Sequence, residues 1–385
     1  MGSLKMWTLK PLLFLMLLTS SFGMDSISEL LRTHPTWSFE LRSVESLIQN
    51  GVKQLRNAHA EFDIPEDTLR RKIENYVRPG ETHVVFKTGD PKWPERVPQS
   101  FDARDHFKEC AHLIGDMEDE GPCYNDVHVT VASVATDRYC IYTNGTFKGR
   151  LSSEYLTGCY SLCTNFQTIY HTWDQVVEFG LPSGGKYSSN EGCLPYVHEP
   201  CIHTVTHYTG DQVTSLEGSL NGKTGNLKLC DEYMAFDHDC PAKCSNSKYP
   251  TPLKDDFRRM TTHYQLPGSE YVIKSEIYMN GPVSTDIFLY SDFFNHKGGF
   301  YNKTPDAELV KSDKLVKLIG WGEEADGKRY WLAVNSWAGW GNDNKVFKFP
   351  RGSQFPMVGV VRYLRGLRST LNFCYDNTHQ YRGIC

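Results

Sequence analysis

Beyond its first two dozen residues the 385-residue chain has no apolar run long enough to cross a bilayer, which excludes a membrane-spanning helical protein. It has no block of basic residues, and its net charge is -5, so a phosphate backbone has little to bind and nucleic acid is not an expected partner. It has no cysteine before Cys110, although twelve follow from there on. Metal-ligand spacing is also scarce. Only Cys159 with Cys163, or Cys240 with Cys244, approaches it, and neither pair has a histidine set nearby in sequence, so no metal or other cofactor is expected.

What is present begins with "MGSLKMWTLKPLLFLMLLTSSFG": two lysines, a short apolar core at residues 12–18, then Ser20, Ser21 and Gly23. This reads as a secretory signal peptide over residues 1–23. Export to an oxidising compartment explains an even number of cysteines as disulfides. The expected location is secreted and extracellular, or a lysosome-like vesicle. Residues 24–96 are charged, carry short helical patterns such as "VESLIQNGVKQLRNAHAEF", and end in a Pro- and Gly-rich stretch, "RPGETHVVFKTGDPKWPERVP", which reads as a loop. A leader ahead of a main domain is expected, with the boundary near residue 96.

Within the main domain, residues 120–142 are ambiguous. Val127, Val129 and Val131 alternate as in a strand, while Val127, Val131, Val134 and Arg138 follow helical spacing, and propensity alone favours strand. Residues 191–250 read as loop with five cysteines. From Val272 onward, runs such as "GPVSTDIFLY", "LVKLIGWG" and "RYWLAVNSW" predict a strand-rich half.

Over most of residues 97–363 these motifs resemble the papain-type cysteine proteases, and cathepsin B among them. "VPQSFDARDHFKEC" is similar to that group's mature start, "DRYCIYTN" to the end of its central helix, "GCLPY" and "HEPC" to the entry of its occluding loop, and "YWLAVNSWAGWGNDNKVFKFPRG" to its C-terminal half. The resemblance implies an α+β, papain-like two-domain fold, with a helical left domain and a β-barrel right domain around a substrate cleft. The organisation expected is signal peptide 1–23, propeptide 24–96, peptidase-like domain 97–365 and C-terminal extension 366–385. It also implies that residues 120–142 hold the central helix, entered at Asn125 or Asp126, against the strand propensity.

Catalysis in this family needs a thiolate at that helix N-terminus, a histidine, an asparagine that orients the histidine, and a glutamine in the oxyanion hole. Aligning "DEGPCYNDV" on the nucleophile motif places Cys123 on its first, structural cysteine and Asp126 on the nucleophile. Glu120 takes the glutamine position. Lys314, in "SDKLVKLIGWG", takes that of the histidine, and only Asn335 is retained. Cys123 as a substitute nucleophile would stand about a turn too early. A carboxylate attacks amides poorly and an ammonium cannot accept a proton, so thiol peptidase activity is expected to be absent. Asp126 has two readings: a cap on the central helix, or a salt bridge to Lys314 across the cleft.

The subsites implied by the resemblance are altered as well. Asn165 and Phe166 occupy a region where the family has glycines. Of the two adjacent histidines that grip a substrate's C-terminal carboxylate, His203 matches one and Thr204 replaces the other, and the acidic residue of the second specificity pocket falls near Val361. The cysteine pattern implies the pairs Cys110–Cys140, Cys123–Cys163, Cys159–Cys240, Cys193–Cys244 and Cys201–Cys230, with Cys374 and Cys385 closing on each other. Sequons at Asn144 and Asn302 are candidate glycosylation sites. The expected function is a secreted, inactive peptidase homologue that works by binding a protein or peptide in the former cleft, as decoy, inhibitor or scaffold, with its own propeptide as a further partner. The alternatives are residual or altered cysteine-type endopeptidase or carboxydipeptidase activity, and a storage or structural product.

Overall fold

The computed structural model describes residues 97–351, apart from residue 124 and short gaps at 161–162, 164–167, 210–211, 217–226, 231–239, 261, 267–269 and 342–344. It also describes strand 357–360, the pairs 39–43 with 82–86 and 373–375 with 381–384, and a few helical residues between 49 and 70. The signal-peptide reading, Asn165, Phe166, Val361 and the pairing of Cys374 with Cys385 lie outside the described residues.

The elements that build the body are strand β1 (Phe101–Asp102), helices α1 (Asp126–Tyr142), α2 (Ser153–Tyr160) and α3 (Ile169–Glu178), strand β2 (Thr262–Gln265), helix α4 (Glu270–Asn280), and strands β3 (Val283–Tyr290), β4 (Gly299–Phe300), β5 (Leu309–Glu323), β6 (Arg329–Val334), β7 (Val346–Pro350) and β8 (Met357–Val360). One eight-stranded sheet runs in the order β4, β7, β6, β5, β3, β8, β2, with β1 added against β5. It curls into a half-barrel beside the helices, the two-part α+β arrangement expected. Strand β5 is its spine, pairing antiparallel with β3, β6 and β1. At the β1 crossing Gly320, in "LIGWG", has no room for a side chain: a Cβ there would stand 2.1 Å from the carbonyl oxygen of Phe101.

Helix α1 overturns the strand propensity of residues 120–142. It is buried without a break from His128 to Cys140, packed against the sheet and neighbouring helices, so apolar residues occur all round it and leave no clean period. Tertiary burial, which suits valine in either state, decided the outcome. Two other readings are corrected. The supposed loop at Thr82–Phe86 is a strand paired antiparallel with Phe39–Ser43. The strand-rich half does not begin at Val272, because α4 covers Glu270–Asn280 and buries Val272, Ile273 and Ile277.

The two largest hydrophobic cores among the described residues hold the body. Under the sheet, Trp321, Trp331, Trp337, Trp340, Phe293 and Phe347 pack as an aromatic cluster. Between helices and sheet, Val131, Val134, Trp173, Phe288 and Leu315 form a second, to which Val52 of the N-terminal segment also belongs. Polar contacts pin the same junction. The Trp173 indole donates to Ser284 Oγ at 3.2 Å, and Arg138 donates to the carbonyls of Pro282 and Gly281 while pairing with Glu276 at 2.9 Å. Disulfides link Cys110 to Cys140, Cys123 to Cys163, Cys159 to Cys240, Cys193 to Cys244, and Cys201 to Cys230, each contributing ~2–4 kcal/mol. No helix among the described residues is long and apolar enough to cross a membrane.

Candidate functional site

The site lies where the entry to α1 meets β5. Before α1 the chain runs through five residues, Asp116 to Glu120, of which four are acidic, and it buries Glu118, Asp119 and Glu120. A buried carboxylate is costly unless donors surround it, and each of these finds a different set.

Glu120 Oε2 accepts from Lys314 Nζ at 2.7 Å and from Ser336 Oγ at 2.7 Å, and its Oε1 accepts from the Trp337 indole at 2.9 Å. Burial opposes its charge, but Lys314 and His203, with the hydrogen bonds from Lys314 and Ser336, outweigh burial and hold the carboxyl below its ordinary value. Lys314 is 1% exposed. Its ammonium also contacts Ser336 Oγ at 2.8 Å, faces Asp126 Oδ2 at 3.6 Å, and stands 4.9 Å from the Trp337 ring centre. A bridge from Lys314 to Asp126 is therefore present, but Glu120 is the closer partner.

Asp126 does not cap α1. Asn125 is the N-cap residue, and the Asp126 carboxylate turns to β5 instead, accepting from the Leu315 backbone N–H at 2.9 Å and from Lys311 Nζ at 3.2 Å. A strand N–H and two lysines compete successfully with the helix's own amides. Asn125 makes no capping bond either; its side chain accepts from the Tyr196 hydroxyl at 2.8 Å and donates to Thr157.

Asn335 is fully buried, and its Oδ1 accepts from the adjacent backbone N–H of Ser336, at 2.9 Å. Its Nδ2 has no hydrogen-bond partner among the described residues. Ser336 and Lys314 form a serine–lysine contact of a kind some hydrolases use, but here the serine is 0% exposed and its hydroxyl is given to Glu120. The ten cysteines from Cys110 to Cys244 are all in disulfides, so none of them is a thiol.

Around this centre, Asp119 accepts from the Gly121 N–H at 2.7 Å, from the Ala338 N–H, and from His203 Nε2 at 3.3 Å. Burial opposes its charge, and His203 leads the groups that keep its carboxyl below the usual range. The His203 ring stacks on Trp337 with centres 5.1 Å apart, and Thr204 beside it is buried. Burial pushes Glu118 up to about 7, against Arg150 and a hydrogen bond from Ser153.

Sequence reasoning placed Asp126, Lys314, Glu120 and Asn335 individually, and the structure brings all four into one neighbourhood. It missed Ser336, Trp337, Lys311 and Asp119, which complete the ion network. It also missed His198, whose Nε2 lies 3.4 Å from Cys163 Sγ although the two are 35 residues apart. Asn144 and Asn302 both lie on the exposed surface.

Comparison with known proteins gives the family and the fold. The family described as papain family cysteine protease matches residues 97–361. Curated relatives include cathepsin B-like cysteine proteinase 5 of Caenorhabditis elegans, 31% identical over 301 residues, which span 75% of this chain and 80% of that protein. Cathepsin B-like cysteine proteinase 4 of the same organism is 29% identical over 312 residues, covering 79% of this chain and 86% of its own. Among solved structures, procathepsin B S9 from Trypanosoma congolense superposes with a TM-score of 0.54 at 24% identity, over 72% of this chain and 81% of that one, and speaks to the fold. The chain belongs to the papain family of cysteine proteases, with cathepsin B-like proteinases as its relatives.

Proposed function

We propose that this papain-family chain has given up thiol proteolysis and acts by binding, as a decoy, inhibitor or scaffold for a protein or peptide at the former substrate cleft. One observation carries the reading: Asp126 and Lys314, which the sequence aligns with the family's nucleophile and histidine, are both buried, and Lys314 pairs with Asp126 on one side and Glu120 on the other. As an ammonium, Lys314 has no lone pair to take a proton, and Glu120 presents negative charge where an oxyanion would need donors. Asn335 has lost the group that it would orient. Substrate capture of the ancestral kind is weakened as well, because His203 is held by Asp119 and stacked on Trp337 rather than presented to a carboxylate.

The leader fits this reading. Val52 packs into the core between helices and sheet, and a chain without its own thiol chemistry cannot remove its leader by self-cleavage. Residues 24–96 therefore either stay in place or are cut by another protease. Export, with Asn144 and Asn302 glycosylated in a secreted or lysosome-like compartment, completes the proposal.

The test uses purified, leader-free protein with dibasic peptide substrates, carboxydipeptide substrates and a thiol-directed active-site label. No turnover and no labelling are expected. Turnover that disappears in Asp126→Ala would overturn the reading. The triple variant E120Q/D126C/K314H, which restores the family's residue types together, should acquire labelling at position 126.

A further inference from the structure

The disulfide between Cys123 and Cys163 has a histidine beside it. His198 Nε2 lies 3.4 Å from Cys163 Sγ, and the ring nitrogen and both sulfurs fall within 4.8 Å of one another. His198 is 1% exposed, edge-on to Tyr196 with ring centres 5.4 Å apart. Gly121 closes the other approach. Its backbone sits at φ +60°, and a Cβ there would stand 2.9 Å from His198 Cβ, so the histidine backs directly onto the turn that ends in Cys123. Cys123 is buried, whereas Cys163 is only half-buried.

An imidazole in this position assists thiol–disulfide exchange in two ways. As imidazolium it gives its proton to the departing thiolate, and it stabilises any thiolate formed beside it, which makes that sulfur a better leaving group. Two other disulfides in the same chain provide internal contrasts. Cys201–Cys230 has His203 within 4.8 Å, but all three residues are buried, which shields them from an external thiol. Cys159–Cys240 is reachable through exposed Cys240, yet among the described residues no third ligating side chain stands within that distance of it.

We propose that Cys123–Cys163, with His198, is a thiol-exchange site that accepts reducing equivalents from a thiol reductant such as a small thiol or a dithiol reductase. The reductant's thiolate attacks Cys163 Sγ, forming a mixed disulfide there and breaking the bond to Cys123. The electron pair leaves on Cys123 Sγ as a thiolate, which lies within 4.8 Å of the His198 ring and is stabilised there by the imidazolium charge. A second thiolate then attacks the reductant's sulfur in the mixed disulfide and expels Cys163 as a thiolate 3.4 Å from His198 Nε2. The net change is a two-electron reduction of the protein disulfide, balanced by oxidation of two reductant thiols to one disulfide.

The experiment exposes the folded full-length protein to reduced glutathione, quenches at intervals by alkylation, and counts opened cysteines by peptide mass spectrometry. Cys123–Cys163 should open at least ~10-fold faster in the wild type than in His198→Gln, while Cys159–Cys240 opens at the same rate in both. Equal rates at Cys123–Cys163 in the two proteins would overturn the proposal. Should the variant fail to fold, the wild type alone decides: Cys123–Cys163 must open before Cys201–Cys230 while near-UV circular dichroism is unchanged, and the reverse order refutes the site. Peptide hydrolysis is not a readout, so the result is independent of the proposed function.

Discussion

Replacing Lys314 with methionine keeps most of the side chain's volume and removes its charge. In the native protein that charge serves Glu120 at 2.7 Å and Asp126 at 3.6 Å, with Lys314 itself 1% exposed. Without it Glu120 keeps Ser336 and Trp337 as hydrogen-bond donors, with the His203 ring at 3.7 Å, and Asp126 keeps the Leu315 N–H and half-exposed Lys311. Stranding one partner of a buried pair costs ~3–5 kcal/mol. For a domain of this size, ~2–4 °C per kcal/mol converts that to a fall in Tm of roughly 6–20 °C at pH 7. A Glu120 without its cation is pushed upward by burial, so the deficit should shrink toward pH 4, where the carboxyl is protonated in both folded and unfolded chains. The double variant K314M/E120Q should recover at least ~2 kcal/mol relative to K314M, because the stranded charge is gone. Thermal unfolding followed by circular dichroism, with disulfides intact, measures all three proteins. A K314M protein within ~1 kcal/mol of wild type, or a double variant with no recovery, would refute the buried pair.

Glu118 is held up to about 7 by burial, so the folded state keeps a proton that the unfolded chain releases near pH 4.5; its contribution falls as pH rises from about 4.5 to 7, by on the order of 3 kcal/mol once fully expressed. Asp137, raised to about 6 by burial against Lys317, acts in the same direction, while His128, lowered to about 4 by burial, loses stability as pH falls from 6.5. The difference in unfolding free energy between Glu118→Gln and wild type isolates the first group: it should move in the variant's favour from pH 5 to pH 7, and a flat difference contradicts the buried carboxyl. Asn144→Gln and Asn302→Gln, expressed through a secretory pathway, should each remove one glycan's mass on an electrophoretic or mass-spectrometric assay; no change in either excludes glycosylation at that sequon.

That Asp126, Lys314, Glu120 and Asn335 lie close together was legible in the sequence, and their wiring was not. Asp126, Lys314, Glu120 and Asn335 could be placed because each sits at a fixed offset from a long motif. Which carboxylate Lys314 would choose depends on where two side chains meet across the α1–β5 junction, and no offset encodes that. The same holds for His198, which reaches Cys163 only because Gly121 lets the turn lie against it. Helix α1 was opaque to local pattern for a different reason: a helix buried on every side has no polar face to reveal its period. The short α4 and the Thr82–Phe86 strand were lost because a few apolar residues between turn signals fit either state.

The acidic stretch before α1 makes its four carboxylates answerable to distant parts of the chain: Asp116 to Arg150 and Lys186, Glu118 to Ser153, Asp119 to His203, and Glu120 to Lys314 and Ser336. Substitutions in this cluster are therefore epistatic. Replacing Lys314 with a neutral histidine while Glu120 remains strands a carboxylate, and replacing Glu120 with glutamine while Lys314 remains leaves the ammonium with Asp126 as its one carboxylate partner among the described residues, so each step is penalised until the other is made. Any sequence change across this cluster thus meets a valley of stability rather than a simple count of mutations, and the order in which residues change decides whether the path can be walked.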